Sequence, residues 1–89
     1  YLDIGVFNGL MEAVGKIPYK FSPLTNNEND YVKWTVAGLS CDSFDDIATD
    51  ILLPDLATGD KLLITPGGAY TTAYASSFNG VQMPSVIVV

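Results

Sequence analysis

The sequence contains no histidine and no arginine, only four lysines, and a single cysteine, Cys41. Without histidine, a Ser-His or Cys-His nucleophile pair cannot be assembled from these residues. One cysteine and no histidine also leave too few soft ligands for a zinc site, so no metal is expected. Cys41 has no partner for an internal disulfide, which fits a reducing, cytoplasmic setting. Ten acidic residues against four lysines give a formal net charge of −6. Nucleic-acid binding needs clustered cations that displace counterions, so that partner class is disfavoured. An acidic surface also repels anionic lipid head groups but is compatible with a cationic small molecule. No apolar run approaches the ~20 residues of a membrane span. No basic segment followed by an apolar core marks a signal peptide. Internal repeats and low-complexity tracts are likewise absent.

What is present is apolar surface, 48% of the 89 residues. That is enough to offset ordering entropy, so the chain is expected to fold rather than remain disordered. A domain this small buries only ~60% of its unfolded surface. The chain starts at Tyr1 without Met and ends on Val86, Ile87, Val88 and Val89, as expected of a piece of a longer protein.

The pattern along the chain predicts short β elements separated by turns. Residues 1–6 read as a strand followed by the turn-prone Asn8-Gly9, and residues 10–14 are too short to assign. A short strand is expected over residues 17–21 and an exposed loop over 22–30, which is rich in Asn, Asp, Thr and Pro. Residues 31–37 form a strand with Val32, Trp34 and Val36 on one face. Residues 42–53 are ambiguous. Phe44, Ile47, Ala48, Ile51 and Leu52 fit a helix with Ser43 and Asp46 as a capping box, while Ile47, Thr49, Ile51 and Leu53 alternate as in a strand. The period slightly favours the helix, and Pro54 stops either element. Turns at Thr58-Gly59-Asp60, Pro66-Gly67-Gly68 and Asn79-Gly80 bracket strands over residues 61–65 and 85–89. Many short strands with Gly and Pro turns point to a mainly β, sandwich or barrel-like domain over residues 1–89.

Three stretches, in this order and spacing, carry a family resemblance. They are Gly38-Leu39-Ser40-Cys41-Asp42-Ser43, then Gly59-Asp60 with an apolar strand and Gly68-Ala69-Tyr70, then Phe78-Asn79-Gly80. The opening Tyr1-Leu2-Asp3-Ile4-Gly5 with Gly9-Leu10 and Glu12 adds to them. Together they resemble the C-terminal β-domain of the fold-type III pyridoxal-phosphate-dependent decarboxylases of ornithine, lysine, arginine and diaminopimelate, bacterial ornithine decarboxylases especially.

The resemblance implies a two-domain parent, whose N-terminal α/β barrel carries the lysine that forms a Schiff base with the cofactor. It implies a homodimer in which this domain completes the partner's site, and conversion of L-ornithine to putrescine in polyamine biosynthesis. It also implies that residues 42–53 begin as a loop and continue as a strand, which overrides the helical period. None of the four lysines sits in a context suited to the Schiff base, so the fragment alone is expected to be inactive.

Asp42 is then the candidate substrate-binding carboxylate, able to accept charge-assisted hydrogen bonds from a distal ammonium group. Outside the motif it would be a turn or cap residue. Cys41 is the candidate catalytic proton donor, since thiols titrate close enough to neutrality to give up a proton. A lone cysteine is more commonly a small buried hydrophobe. Tyr70 is the candidate cofactor-phosphate ligand through its phenolic hydroxyl, against the alternative of a core or interface tyrosine. Phe78 is expected to pack near the site or the dimer interface, and Ser43 to be a turn residue. One feature departs from the family. Many ornithine decarboxylases place a second substrate-binding Asp just before the glycine matched by Gly5, where this chain has Ile4, with Asp3 one residue earlier.

The rival readings are the same chemistry on lysine, arginine or diaminopimelate, a non-catalytic decarboxylase-like regulator, and a free-standing acidic β-module. Diaminopimelate enzymes usually carry Glu after the Cys, which Asp42 does not match. Retention of Cys41, Asp42 and Tyr70 together disfavours the regulator. Exposed apolar edge strands, which invite aggregation, disfavour the free-standing module.

Overall fold

The longest run of β-branched and aromatic residues forms strand β2 (Tyr31–Ala37), which pairs antiparallel with β3 (Asp46–Pro54). The structure is a computed structural model that describes residues 1–15, 18–24, 29–65 and 70–88. A second antiparallel pair joins β1 (Lys20–Pro23) to β4 (Leu62–Thr65), with Phe21 opposite Ile64. The strand β1 lies alongside β3, so the two sheets adjoin. The result is mainly β, as the sequence pattern leads one to expect.

The ambiguity over residues 42–53 resolves as loop followed by strand. β3 is not a regular strand, because the register slips between Trp34 and Val36 and again between Val36 and Ala37. Each slip inserts an extra residue on β3, and Asp50 takes the strain with a φ of 55°. A short polar side chain tolerates that left-handed conformation better than a branched one would. Beyond the bulges, Trp34 donates its indole N–H to the Pro54 carbonyl at 3.1 Å and ties the far end of the hairpin.

Three other expectations need correction or narrowing. Residues 1–6 do not form a strand. Leu2 N–H reaches the Ala37 carbonyl at 2.8 Å, and the chain then turns at Gly5 into a 3₁₀ turn, Val6–Asn8. The Val6 N–H is captured by a side chain rather than by a neighbouring strand (2.8 Å). A second 3₁₀ turn, Met11–Ala13, follows. Residues 85–89 form no strand within the described span, where Val86, Ile87 and Val88 are 72, 79 and 91% exposed. A strand needs a neighbour to receive its ladder bonds, and no described residue supplies one. The strand expected over 17–21 begins instead at Lys20 and takes in Ser22 and Pro23 from the expected loop.

Lys16, Ile17, residues 25–28, the Pro66-Gly67-Gly68 turn and Val89 lie outside the described residues. The turn at Thr58-Gly59-Asp60 forms with Gly59 at φ 96° and the Asp60 carboxylate accepting the Ala57 N–H. At Asn79-Gly80 both residues have positive φ, 60° and 71°, the conformation that pair of residues favours. A single helical turn, α1 (Thr71–Tyr74), stands between these two turns. Among the described residues no helix is long and apolar enough to cross a membrane.

The buried core is formed by Val6, Leu10, Tyr19, Val36 and Leu53, with Pro54 closing it. Tyr19 contributes an ionisable phenol to this core. Burial raises its pKa first, the nearby Glu12 carboxylate raises it further, and hydrogen bonding with the Glu12 backbone works the other way. The folded chain therefore holds this proton at a pH where the unfolded chain has released it. Stability from Tyr19 is complete below the ordinary tyrosine value and is lost as pH rises through the raised one. Thermal unfolding followed from about pH 9 to about pH 11 should show a steeper loss of stability for the native chain than for Tyr19→Phe. Parallel curves would remove Tyr19 from the alkaline transition.

Candidate functional site

The motif that carries Cys41 and Asp42 is the β2–β3 connection, residues 38–45. Its base is closed by the Gly38 N–H bonding the Asp45 carbonyl at 2.9 Å. Inside the loop, the Asp45 N–H bonds the Asp42 carbonyl at 3.0 Å, and the Phe44 N–H bonds Asp42 Oδ1 at 2.8 Å. Asp42 thus performs the turn role that its residue type allows. Among the described residues nothing else bonds its carboxylate, and the side chain is exposed. Cys41 beside it is an exposed free thiol, not the buried hydrophobe that a lone cysteine commonly is. Ser43 is an exposed turn residue.

The loop is fastened from beneath by Asp45, which is only 2% exposed. Its Oδ1 accepts the Val6 N–H at 2.8 Å, and its Oδ2 accepts both the Ser40 N–H at 3.0 Å and the Ser40 hydroxyl at 2.6 Å. A buried carboxylate needs such donors, because desolvation without them costs several kcal/mol. Glycine at positions 5 and 38 makes the approach possible, since a Cβ on either would overlap the Asp45 carboxylate. Sequence reasoning singled out Asp42, Ser43 and Asp46 and passed over Asp45. The signal was the pairing of that acid with two glycines, and the glycines are 33 residues apart, at Gly5 and Gly38.

The second part of the site reaches the same anchor from the other side. Phe7, next to Val6, receives at its carbonyl both the Ser76 N–H (2.9 Å) and the Ser76 hydroxyl (2.7 Å). Asn8 donates its side-chain N–H to the Ser76 carbonyl at 3.2 Å. The Phe7 ring lies 4.4 Å from that of Phe78 and 6.3 Å from that of Phe44, centroid to centroid. Phe78 is therefore packed on the segment that holds the Cys41 loop, by way of Phe7. Tyr70 stands before α1 with a positive φ of 65°, and its ring stacks on Tyr74 at 5.8 Å. The residue is 63% exposed and its hydroxyl bonds no described residue. Thr71, next in sequence, packs so closely on Gly9 that a Cβ there would lie 3.1 Å from Thr71 Cγ2.

Residues 5–9 thus join the loop of Cys41 and Asp42 to the segment of Tyr70 and Phe78. No hydrogen bond or ring contact joins Cys41, Asp42 and Tyr70 directly. Two cavities among the described residues lie elsewhere, one against Trp34 and Leu53 and the other against Ile4 and Leu62, and none of the four candidate residues lines either. The thiol of Cys41, the carboxylate of Asp42 and the phenol of Tyr70 are each exposed, on two segments linked through residues 5–9. Ile4 turns its Cδ1 toward Gly9, whereas Asp3 is exposed.

Comparison with known proteins gives a consistent answer. Residues 1–68 match the family described as pyridoxal-dependent decarboxylase, C-terminal sheet domain. The ornithine decarboxylase of Cricetulus griseus is 40% identical over 62 residues, 70% of this chain and 14% of that protein. The crystal structure of lysine decarboxylase from Selenomonas ruminantium superposes with a TM-score of 0.83 at 30% identity, covering 92% of this chain and 22% of that one. Lysine/ornithine decarboxylase from Vibrio vulnificus, complexed with cadaverine, gives 0.81 at 34% identity, with 93% and 23% covered. The chain thus spans less than a quarter of the length of these relatives. With the match extending from Tyr1 through both sheets, the chain belongs to the C-terminal sheet domain family of the pyridoxal-dependent decarboxylases.

Proposed function

We propose that this chain is the C-terminal β-domain of a pyridoxal-phosphate-dependent decarboxylase of a basic amino acid, with L-ornithine as substrate and putrescine as product. The observation that carries the reading is the loop tip, where Cys41 and Asp42 are adjacent, exposed and held on a fastened base. An α/β barrel outside these residues supplies the cofactor lysine, and a second copy of the protein supplies the barrel that this domain faces. Abundant exposed apolar side chains support such contacts, among them Leu52 (60%), Leu63 (51%) and Phe44 (54%). The free thiol suits a reducing, cytoplasmic environment.

The cofactor, when bound, supplies the electron sink that allows carbon dioxide to leave. The chain's own residues do the rest. Tyr70 fits the phosphate, because its exposed hydroxyl bonds no described residue and can donate to a phosphate oxygen. Asp42 uses one oxygen to hold its own turn and keeps the other for the distal ammonium group of the substrate. Cys41 holds the proton that returns to the substrate α-carbon after decarboxylation. Phe78 packs against Phe7 and shields the flank of this surface.

Lysine is the second substrate reading, favoured by the names of the two solved relatives. Release of carbon dioxide by the full-length parent with pyridoxal phosphate, compared for ornithine, lysine, arginine and diaminopimelate, decides between them. Turnover of none by a folded protein would replace this proposal with a regulatory one.

Two substitutions test the assigned roles. Asp42→Ala should lower kcat/KM for the preferred diamino acid by about 1.5–3 kcal/mol, roughly 10- to 150-fold, while leaving cofactor affinity intact. Unchanged kcat/KM would overturn the assignment of Asp42. Tyr70→Phe should instead weaken cofactor binding roughly tenfold, measured by absorbance titration of the apoenzyme. An identical titration curve would take Tyr70 off the phosphate.

A further inference from the structure

We infer that Asp45 is the positioning residue of this site, setting the Cys41–Asp42 tip in register with the Tyr70 segment; the inference rests on the function proposed above. Three donors converge on its carboxylate, and each lies on a path to a functional side chain. Ser40, which gives it both N–H and hydroxyl, is the residue immediately before Cys41. The same hydroxyl oxygen accepts the Asp42 N–H at 3.4 Å, so the carboxylate, Ser40 and Asp42 form one chain of hydrogen bonds. The third donor, Val6 N–H, belongs to the residue before Phe7, whose carbonyl holds Ser76 and whose ring carries Phe78. A single buried anion therefore grips the proton-donor and substrate loop with one oxygen and the backbone that holds the cofactor-side segment with the other.

Gly5 and Gly38 lie so close to the carboxylate that a Cβ on either would overlap it, so the grip depends on both glycines. Asp45 itself reaches no substrate atom, being 2% exposed beneath the loop. Its contribution is to fix where Cys41 and Asp42 point. Displacing a reacting group by about 1 Å can lower a rate roughly 100-fold.

Asp45→Asn keeps the shape but leaves one oxygen to accept. Its amide NH₂ then faces either the Val6 N–H or the two Ser40 donors, and at least one arm of the grip opens. In the full-length enzyme saturated with pyridoxal phosphate, Asp45→Asn should lower kcat/KM for the amino acid roughly 10- to 100-fold. The discriminating measurement is the double variant with Asp42→Ala. If Asp45 acts through the loop, removing the Asp42 carboxylate from an already misplaced tip should add little, and the two losses should combine to well below their product. A merely structural Asp45 would lower the melting temperature yet leave kcat/KM per folded enzyme intact or combine multiplicatively, and that result overturns the inference. Should Asp45→Asn fail to fold, Ser40→Ala takes its place, since it removes the hydroxyl from the grip and from Asp42 while sparing the carboxylate. The expected loss is then smaller, with the same shortfall from multiplicative behaviour. A harmless Asp42→Ala in the native background would instead overturn the assignment of Asp42, and turnover of no amino acid by the native enzyme would overturn the functional reading, which keeps the failures apart.

Discussion

A buried carboxylate that must be satisfied dictates the arrangement of this domain. Asp45 sits 2% exposed with three hydrogen bonds, none of them to a cation. Its donors are two backbone N–H groups and a hydroxyl, which means that the backbone had to be brought to the anion. Residues 1–8 pass under the β2–β3 loop for that reason, and Val6 N–H is spent on the carboxylate instead of on a ladder. The cost of desolvating an unpaired carboxylate exceeds the net gain from any single strand bond, so the carboxylate takes precedence over the strand.

The sheets alone could not supply this order. Two-stranded sheets are marginal in water, and both sheets described here have two strands. What holds them is a set of specific polar ties across the chain. Trp34 to Pro54 fastens the open end of the hairpin, Asp45 fastens its loop, and Ser76 fastens the later segment to Phe7. The apolar core is correspondingly small, and large side chains such as Leu52, Leu63 and Tyr31 face outward. A family whose members are several times longer has other surfaces to cover these side chains. The domain reads as a template that presents a loop, rather than as a container that encloses a ligand.

Much of the fold was legible because its signals are local. Residues 31–37 alternate well enough that the strand follows from the pattern; of its expected inward face Val36 is buried and Trp34 half-buried, while Val32 is exposed. The turns at Gly59 and Asn79-Gly80 follow from the positive φ those residues permit. Residues 42–53 carried two periods at once, and bulges explain why: an extra residue at Asp50 breaks the two-residue rhythm and lets a helical spacing show through. The strands read at residues 1–6 and 85–89 failed for a non-local reason, since β propensity cannot say whether a ladder partner exists. The candidate site was legible only in its motif. Cys41, Asp42, Tyr70 and Phe78 could be named from their order, but the anchor beneath them could not. Asp is so commonly exposed that a buried one is recognisable only once Gly5 and Gly38 are seen to meet it.

The position before Gly5 bears on selectivity under the proposed function. Ile4 occupies it with its side chain turned toward Gly9, and Asp3 is exposed. Ile4 carries no carboxylate, so the residue at that position cannot act as a second acid. The proposed function then assigns the distal ammonium group to Asp42. One carboxylate on a loop fixes charge, but it measures length weakly, because a single methylene is worth only about 1–3 kcal/mol in a pocket that it fills. Ornithine and lysine differ by one methylene. Under that proposal, a domain gripping the amine through Asp42, on a loop whose reach Asp45 sets, would select for the bare amine first and would leave the choice of chain length to the position of the loop.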